Sequence, residues 1–213
     1  MSYFFPEGSA QQFSQTFAGA KTITILSNAN PAVATSVAHG YTTGDEILLT
    51  SGWEDATDTV WKIIVLTADT FSITGLDASN TSFYPIGTGV GTAQKISGWT
   101  AIPQVLTISS SGGDARFTDV APLSKRNAIK IPTGFNATSI TLSLAHDSTQ
   151  AGYITMLGIS RNLSKVAFKQ VISGGAVTYG YGYMSVSEMP KMNQNQVNTV
   201  DAAMTILGRS ISY

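Results

Sequence analysis

Short strand-like runs separated by turn residues extend over most of the chain, and they limit what it can fold into. Between residues 22 and 97 there are five such runs, TITIL, AVATSVA, EILLTS, VWKIIVLT and TFSITG, divided by clusters of Asn, Gly, Asp and Pro. Runs of this kind, rich in β-branched and aromatic residues, predict strands. We therefore expect a mainly β protein. Further strand candidates follow at 103–109, 127–131 and 138–146, and a last strand places Val200, Ala202, Met204 and Ile206 on one face.

One segment interrupts this pattern and predicts a short helix at about 147–161. Asp147 or Ser148 can cap its start by accepting a free backbone N–H, and Arg161 suits the negative end of its dipole. Two glycines weaken the helix, so we expect it to exist only because it packs on a sheet. Its small and apolar residues fall on one face at helical spacing: Ala151, Ile154, Leu157 and Gly158.

A hairpin with a Gly-Gly tip is predicted over residues 165–187. If the glycine pair forms a two-residue turn, three tyrosines share a bulky face with the first strand, and this face should pack on the helix. The expected pairs are Tyr179 with Gln170, Tyr181 with Phe168, and Tyr183 with Val166. A strand pair with one core face and one wet face fits a sheet that lines an aqueous space; alternatively, the glycines make room for a neighbouring backbone. The small, polar face comprises Lys165, Ala167, Lys169, Thr178, Gly180 and Gly182.

Charge and composition exclude several classes of function. The formal net charge is −1 and only 12% of the residues are charged. No global charge therefore attracts nucleic acid or anionic lipid, and the low charge suits surfaces covered by copies of the same protein. Cysteine is absent, which excludes disulfides and thiolate chemistry. The chain has neither an apolar stretch of about 20 residues nor a signal-peptide pattern, so we expect synthesis in a cytoplasm and no membrane partner.

The chain divides into three predicted parts: an N-terminal arm at 1–21, a small β unit at 22–97 and a core at 98–213. The boundary near 97 follows a change in charge, from 2 basic and 7 acidic residues in the small unit to 9 basic and 5 acidic residues in the core. The aromatic arm, a polar loop at 189–197 and the C-terminal strand are expected to contact other chains. The predicted assembly residues are Tyr3, Phe4, Phe5, Phe13, Phe17, Asn193, Gln194, Asn195, Gln196, Arg209 and Tyr213.

The residues form no catalytic or metal-binding constellation. His146 lies beside Asp147, but Asp at the start of a helix is an ordinary cap. His39 lies in a turn-rich segment, where a structural hydrogen bond is the expected role. Asp45 and Glu46 are adjacent, so they lie on opposite faces of a strand and make no carboxylate pair. The run GTGVG lacks the lysine and the following helix of a phosphate loop. We therefore expect no enzyme activity, no metal and no cofactor.

Residues at about 30–79 resemble a small β-barrel module that occurs as an insert in ubiquitin-activating enzymes and recurs in bacteriophage virion proteins. The resemblance implies a small β-barrel over 22–97 and no activation chemistry, because the chain lacks cysteine. The matching residues are Val33, His39-Gly40, Gly44-Asp45 and Asp69-Thr70-Phe71.

Residues 98–213 resemble the tail tube proteins of long-tailed bacteriophages. The resemblance lies in the order of elements: a strand, a helix opened by Asp, the glycine-tipped hairpin, a loop, and a closing strand that ends in TILGRSISY. It implies a tail-tube-type β-sandwich or barrel with one packed helix, in a virion protein that forms stacked, six-membered rings. The implied partners are further copies, the tape measure protein and the tail tip or terminator proteins. Genomic DNA would pass through the lumen, which the small face of the hairpin would line.

Two other functions stay open on the sequence. A receptor- or glycan-binding β module would use Trp53, Trp61 and Tyr84 as a stacking patch, although such aromatics more commonly pack in a core. A head-decoration or head–tail joining protein would form fixed oligomers that never elongate. For the tail tube protein, we expect a place in the virion tail after assembly in the host cytoplasm.

Overall fold

The computed structural model describes residues 7–124 and 126–213, and this part of the chain is mainly β with one helix, as predicted. The helix is α1 (Ala151–Asn162). The strands are β1 (Ala10–Ser14), β2 (Lys21–Ile23), β3 (Ile25–Leu26), β4 (Val33–Thr35), β5 (Glu46–Ser51), β6 (Thr59–Val65), β7 (Thr70–Ile73), β8 (Gly91–Lys95), β9 (Thr100–Ala101), β10 (Val105–Ser111), β11 (Ala115–Val120), β12 (Ile129–Phe135), β13 (Ser139–Ala145), β14 (Lys165–Val171), β15 (Val177–Val186), β16 (Thr199–Ile206) and β17 (Ile211–Ser212).

A large antiparallel sheet holds eight of the strands, in the order β10-β13-β16-β15-β14-β1-β9, with β17 paired to the start of β15. Strand β16 illustrates how it forms, because apolar and polar residues alternate along it. Its apolar side chains are buried on one face, where α1 packs over them, and this confirms the predicted face of the last strand. Those residues are Val200, Ala202, Met204 and Ile206.

The second sheet, which we call the barrel, has seven strands in the order β2-β8-β5-β6-β7-β4-β3. Only Thr24 separates β2 from β3, so the two ends of the sheet adjoin and the sheet nearly closes on itself. Trp53, Trp61 and Tyr84 are buried in the barrel core, and the indole N–H of Trp53 donates to the Pro85 carbonyl at 2.9 Å. These three aromatics therefore form no stacking patch on the surface.

The helix is shorter than predicted and presents a different face to the sheet. It begins after Gln150 instead of Asp147, whose carboxylate accepts hydrogen bonds from Thr149 in the preceding turn. Its buried residues are Gly152, Tyr153, Met156 and Ile159. The predicted face of Ala151, Ile154, Leu157 and Gly158 is wrong, because it left out the large Tyr and Met side chains that fill the space above the sheet.

The glycine-tipped hairpin has a register one residue away from the predicted one. The Ile172 N–H donates to the Ala176 carbonyl at 3.1 Å, so three residues form the turn instead of two. Gly174 takes a φ of 66°, a left-handed conformation that glycine adopts without strain. A shift of one residue moves every side chain to the opposite face. The observed pairs are Tyr179 with Lys169, Tyr181 with Ala167, Tyr183 with Lys165, Gly180 with Phe168 and Gly182 with Val166.

Part of the predicted arm is a strand of the large sheet. Strand β1 lies between β14 and β9, with Phe13 opposite Phe168. Phe13 is only 1% exposed, because it lies in the core beneath α1. The large sheet therefore takes its residues from both sides of the barrel sequence.

Candidate assembly surface

The face of the large sheet opposite α1 has two regions, and the first is open and rich in hydroxyl groups. Residues that lie directly opposite one another in adjacent strands share a face, and the register of four strands brings small side chains together here. None of them is fully buried. We call this region the hydroxyl face; its residues are Thr107, Ser109, Ser111, Ser139, Thr141, Ser143, Ala203, Thr205 and Ser185.

The hydroxyl face carries little charge. Asp201 lies opposite Ser143 and forms an ion pair with Lys191, so its charge is compensated locally. At the border with β14, the ammonium of Lys165 lies 5.9 Å and 5.8 Å from the ring centres of Tyr181 and Tyr183. The region is therefore a smooth, polar and nearly neutral β surface.

The second region of the same face is covered by the barrel. Ala167, Tyr179 and Tyr181 are buried against Leu48 and Val60 of the barrel. The tyrosines of the hairpin thus pack within their own subunit, but on the barrel and not on the helix. The barrel shields this end of the sheet and leaves the hydroxyl face uncovered.

A buried carboxylate joins the barrel to the large sheet. Glu46, at the start of β5, accepts hydrogen bonds from the Lys169 ammonium at 2.8 Å, the Tyr179 hydroxyl at 2.5 Å and the Trp99 indole N–H at 2.5 Å. The side chains of Glu46 and Lys169 are only 14% and 19% exposed. Burial, together with the hydrogen bond to Glu46, raises the pKa of Tyr179 above its ordinary value. This cluster fixes the barrel against the sheet.

The C-terminal residues also hold the barrel in the same chain. The Tyr213 hydroxyl accepts from the Lys62 backbone N–H at 3.1 Å and donates to the Thr74 carbonyl at 3.0 Å. The Arg209 N–H donates to the Thr59 hydroxyl at 3.1 Å. Burial raises the pKa of Tyr213. Both residues, predicted as assembly residues, thus make contacts within their own subunit.

Comparison with known proteins connects this architecture to a family. The family model described as "Phage tail tube protein, TTP" matches residues 51–213, which is more than half of the chain. The chain belongs to the phage tail tube protein family. No curated protein matches it. The matched region includes the large sheet from β9 onwards, α1 and the barrel strands β6 to β8.

Family membership makes this tail tube protein a structural component of the virion tail. The family is not an enzyme family, and its members assemble with other tail proteins. Within residues 7–124 and 126–213, no group of three His, Asp or Glu side chains could hold a metal ion. In the same part of the chain, no helix combines the length and the apolar character needed to cross a membrane.

The two histidines of the tail tube protein pack against neighbouring aromatic side chains. His39 is buried, its Nδ1 accepts from the Tyr41 N–H at 2.9 Å, and its Nε2–H donates to the Thr67 carbonyl at 3.1 Å. This confirms the predicted structural hydrogen bond. His146 lies edge-on to Tyr153, with ring centres 5.3 Å apart.

The residues predicted to face the lumen do not share one face. Thr178, Gly180 and Gly182 lie on the helix side of the sheet together with Val166 and Phe168. The others lie on the opposite face, where the barrel covers two of them. That second group is Lys165, Ala167 and Lys169. The grouping is wrong because it depended on the two-residue turn.

The other predicted assembly residues have diverse environments. Phe13 is buried in its own subunit, and Phe17 is half-buried with its ring edge-on to Tyr181 at 6.1 Å. The loop residues Asn193, Gln194, Asn195 and Gln196 are exposed. Tyr3, Phe4 and Phe5 lie outside the described residues. An assembly role for the exposed residues stays a prediction.

Sequence reasoning missed the hydroxyl face. Its signal is the alternation of Ser or Thr with apolar residues in TISSS, SITLSLA and AAMTI. SITLSLA and AAMTI lie in predicted strands, but the strand predicted at 103–109 ends two residues before β10 does, at Ser111. The small side chains share one face only once the strands pair in the order β10-β13-β16.

Proposed function

We propose that this tail tube protein forms stacked rings, six copies in each, around a channel that is lined by the hydroxyl face and conducts the phage DNA. The observation that carries the proposal is the open region of one sheet face, which is small, hydroxylated and nearly free of net charge. The opposite face is filled by α1, so only this face of the sheet is available to line an aqueous space.

The large sheet also has an edge suited to a second copy. Strand β10 is the outer strand at one end of the described sheet and pairs with β13 alone. Its seven residues, Val105–Ser111, include no charged side chain that would oppose further pairing. A head-to-tail contact at such an edge closes into a ring when the rotation between copies divides a full turn.

The proposed mechanism of conduction is passive. Tight DNA binding needs many Lys or Arg contacts to phosphates, each of which releases counterions. The hydroxyl face offers hydroxyls and methyls instead, and its acidic Asp201 is paired with Lys191. DNA would therefore touch the lining weakly and slide.

The barrel and the remaining partners complete the proposal. We propose that the barrel, whose residues 30–79 carry the sequence resemblance to the small module of ubiquitin-activating enzymes, lies on the outside of the tube, where it covers the end of the sheet. Tape measure, tail tip and terminator proteins would bind the rings from within and at the ends, after assembly in the host cytoplasm. The burial of the three barrel aromatics gives the glycan-binding alternative no support.

Negative-stain electron microscopy of the purified full-length chain tests the proposal. The expected result is hollow rings or tubes of uniform diameter that lengthen with protein concentration. Monomers at every concentration, or fixed oligomers that never elongate, would refute it. The matched measurement is sedimentation of the same samples, in which elongating tubes give material of increasing mass.

A further inference from the structure

Strands β11 and β12 form a hairpin, residues 115–135, that continues outward from β10 and β13 of the large sheet, with the Gly113 N–H donating to the Asn136 carbonyl at 3.1 Å between them. We call it the protruding hairpin. In the described part of the chain its strands pair only with each other. Large apolar side chains are exposed on it, including Phe117 at 57% and Phe135 at 70%. Beyond its base in the large sheet the hairpin has only two strands, an arrangement that is marginally stable by itself in water, so a covering surface would stabilise it.

The apolar residues occupy both faces of the protruding hairpin. Ile129 lies opposite Val120, and Ile131 lies opposite Thr118, which puts them on one face. Phe117 lies opposite Pro132 and belongs to the other. Exposed apolar patches of this kind mark interaction sites.

A matching surface lies on the barrel. A groove of about 290 Å³ runs between residues 24–28 and the loop at 86–90. Three large apolar side chains that line it are exposed: Ile25 at 59%, Ile86 at 78% and Val90 at 46%. The groove is concave and apolar, and no side chain of residues 7–124 and 126–213 fills it.

The charges of the two surfaces are complementary. The sequence of the protruding hairpin contains the basic residues Arg116, Lys125, Arg126 and Lys130 against the single acid Asp119. The barrel, residues 21–97, holds 3 basic and 7 acidic residues, and only two of the acids, Asp45 and Glu46, are paired with lysines at 2.8 Å. One of its acids, Asp77, lies near the groove. The groove residue Asn28 donates a side-chain hydrogen bond to the carbonyl of Ala78, the residue that follows Asp77, at 3.1 Å.

We propose that the protruding hairpin of one copy lies in the barrel groove of a second copy. This proposal rests on the proposed self-assembly. The hairpin–groove contact would be a second head-to-tail contact in the same polymer. The apolar side chains of the hairpin leave water at the groove, and its basic residues face the acidic barrel. The barrel then contributes to assembly as well as covering the sheet.

Cross-linking between two single-cysteine variants tests this contact directly, because the natural chain has no cysteine. One variant is Thr118→Cys on the hairpin, and the other is Thr24→Cys in the groove. Both threonines are exposed, and cysteine has a similar volume. The variants are purified separately, mixed, allowed to assemble and treated with a short bis-maleimide. The control mixture replaces Thr118→Cys with Ser148→Cys, an exposed position before the helix.

The expected result is a cross-linked dimer from the hairpin and groove mixture at a yield at least fivefold above the control. Tubes that form normally but cross-link no better than the control would overturn the inference and leave the proposed function standing. If no tubes form, the function proposal fails, and the same gel still decides the inference. A yield above control then supports the hairpin–groove contact, and a yield equal to control refutes it.

Discussion

Removal of the Glu46 carboxylate should destabilise the whole subunit, since this buried group makes three hydrogen bonds that join the barrel to the large sheet. The carboxylate accepts three hydrogen bonds, one of them from the Lys169 ammonium at 2.8 Å. In the variant Glu46→Ala, Lys169 stays largely buried without its counter-charge. Its remaining favourable contact is with the rings of Trp99 and Tyr179, at 5.2 Å and 5.7 Å from their centres.

The magnitude follows from the burial of the pair. Breaking a fully buried ion pair by removing one partner costs about 3–5 kcal/mol. The 14% and 19% exposure of these side chains admits some water, so we expect the lower end of that range, about 3 kcal/mol. For a chain of this size each kcal/mol lowers the melting temperature by roughly 2–4 °C, so the shift should be roughly 6–12 °C.

Urea unfolding, followed by tryptophan fluorescence under conditions where the subunit is monomeric, measures this loss. Glu54→Ala is the matched control, because Glu54 is exposed and its removal should change stability by less than about 0.5 kcal/mol. Adding Lys169→Met to Glu46→Leu should restore part of the loss, since an apolar pair can replace a buried ion pair at little cost. The rest of the loss remains, because the Tyr179 hydroxyl and the Trp99 indole N–H no longer have their acceptor. A stability of Glu46→Ala equal to that of the control, or a further loss when Lys169→Met is added, would refute this role of the carboxylate.

Three further predictions concern the lining, the alkaline limit and the packing of the hairpin. Thr141→Lys adds one cation per copy to the hydroxyl face, so DNA should bind the assembled tube more tightly, and its affinity should fall more steeply with salt in a filter-binding assay. If variant and wild-type tubes bind DNA equally, the hydroxyl face does not line the channel. Burial, and to a lesser extent Asp45, raises the pKa of Tyr41 from its ordinary 10.0 to about 12. The stability contributed by neutral Tyr41 is therefore complete below pH 10 and lost towards pH 12. Tyr41→Phe should cost about 1 kcal/mol at pH 8 but make the fall in unfolding free energy between pH 10 and 12 shallower, as measured by urea unfolding. The same fall in wild type and variant would contradict this. Gly182→Ala would place a Cβ 1.9 Å from the Thr205 carbonyl oxygen and should lower the free energy of unfolding by about 3 kcal/mol, measured by calorimetry. Gly158→Ala, which has open space around it, should instead stabilise α1 by about 0.5–1 kcal/mol. Equal effects of the two substitutions would contradict the close packing at Gly182.

Local patterns were sufficient to predict the fold class and most of the strands. The alternation in the last strand predicted its buried face correctly, because that face depends on neighbours two residues apart. The helix was predicted where a capping residue and a helical spacing coincide. Its face was wrong, since Tyr153 and Met156 compete with smaller residues for the same core and only the shape of the sheet decides between them.

The candidate surface depended on long-range pairing, which the sequence does not specify. One extra turn residue at the Gly174 tip reversed the faces of the hairpin and placed Tyr179 and Tyr181 under the barrel. Strand β1 lies in a segment rich in Gln and Ser, where no apolar alternation distinguishes a strand from an arm. It is stabilised by its two neighbours in the sheet, β14 and β9.

Cryo-electron microscopy of tubes assembled from the purified chain is the most direct test of the central claim. We expect a hollow bore with Ser109, Thr141 and Thr205 at its wall, α1 away from it, and the barrel on the outside. A map in which the hydroxyl face is buried between copies or lies on the outer surface would contradict the account. So would a preparation in which the folded chain never encloses a channel.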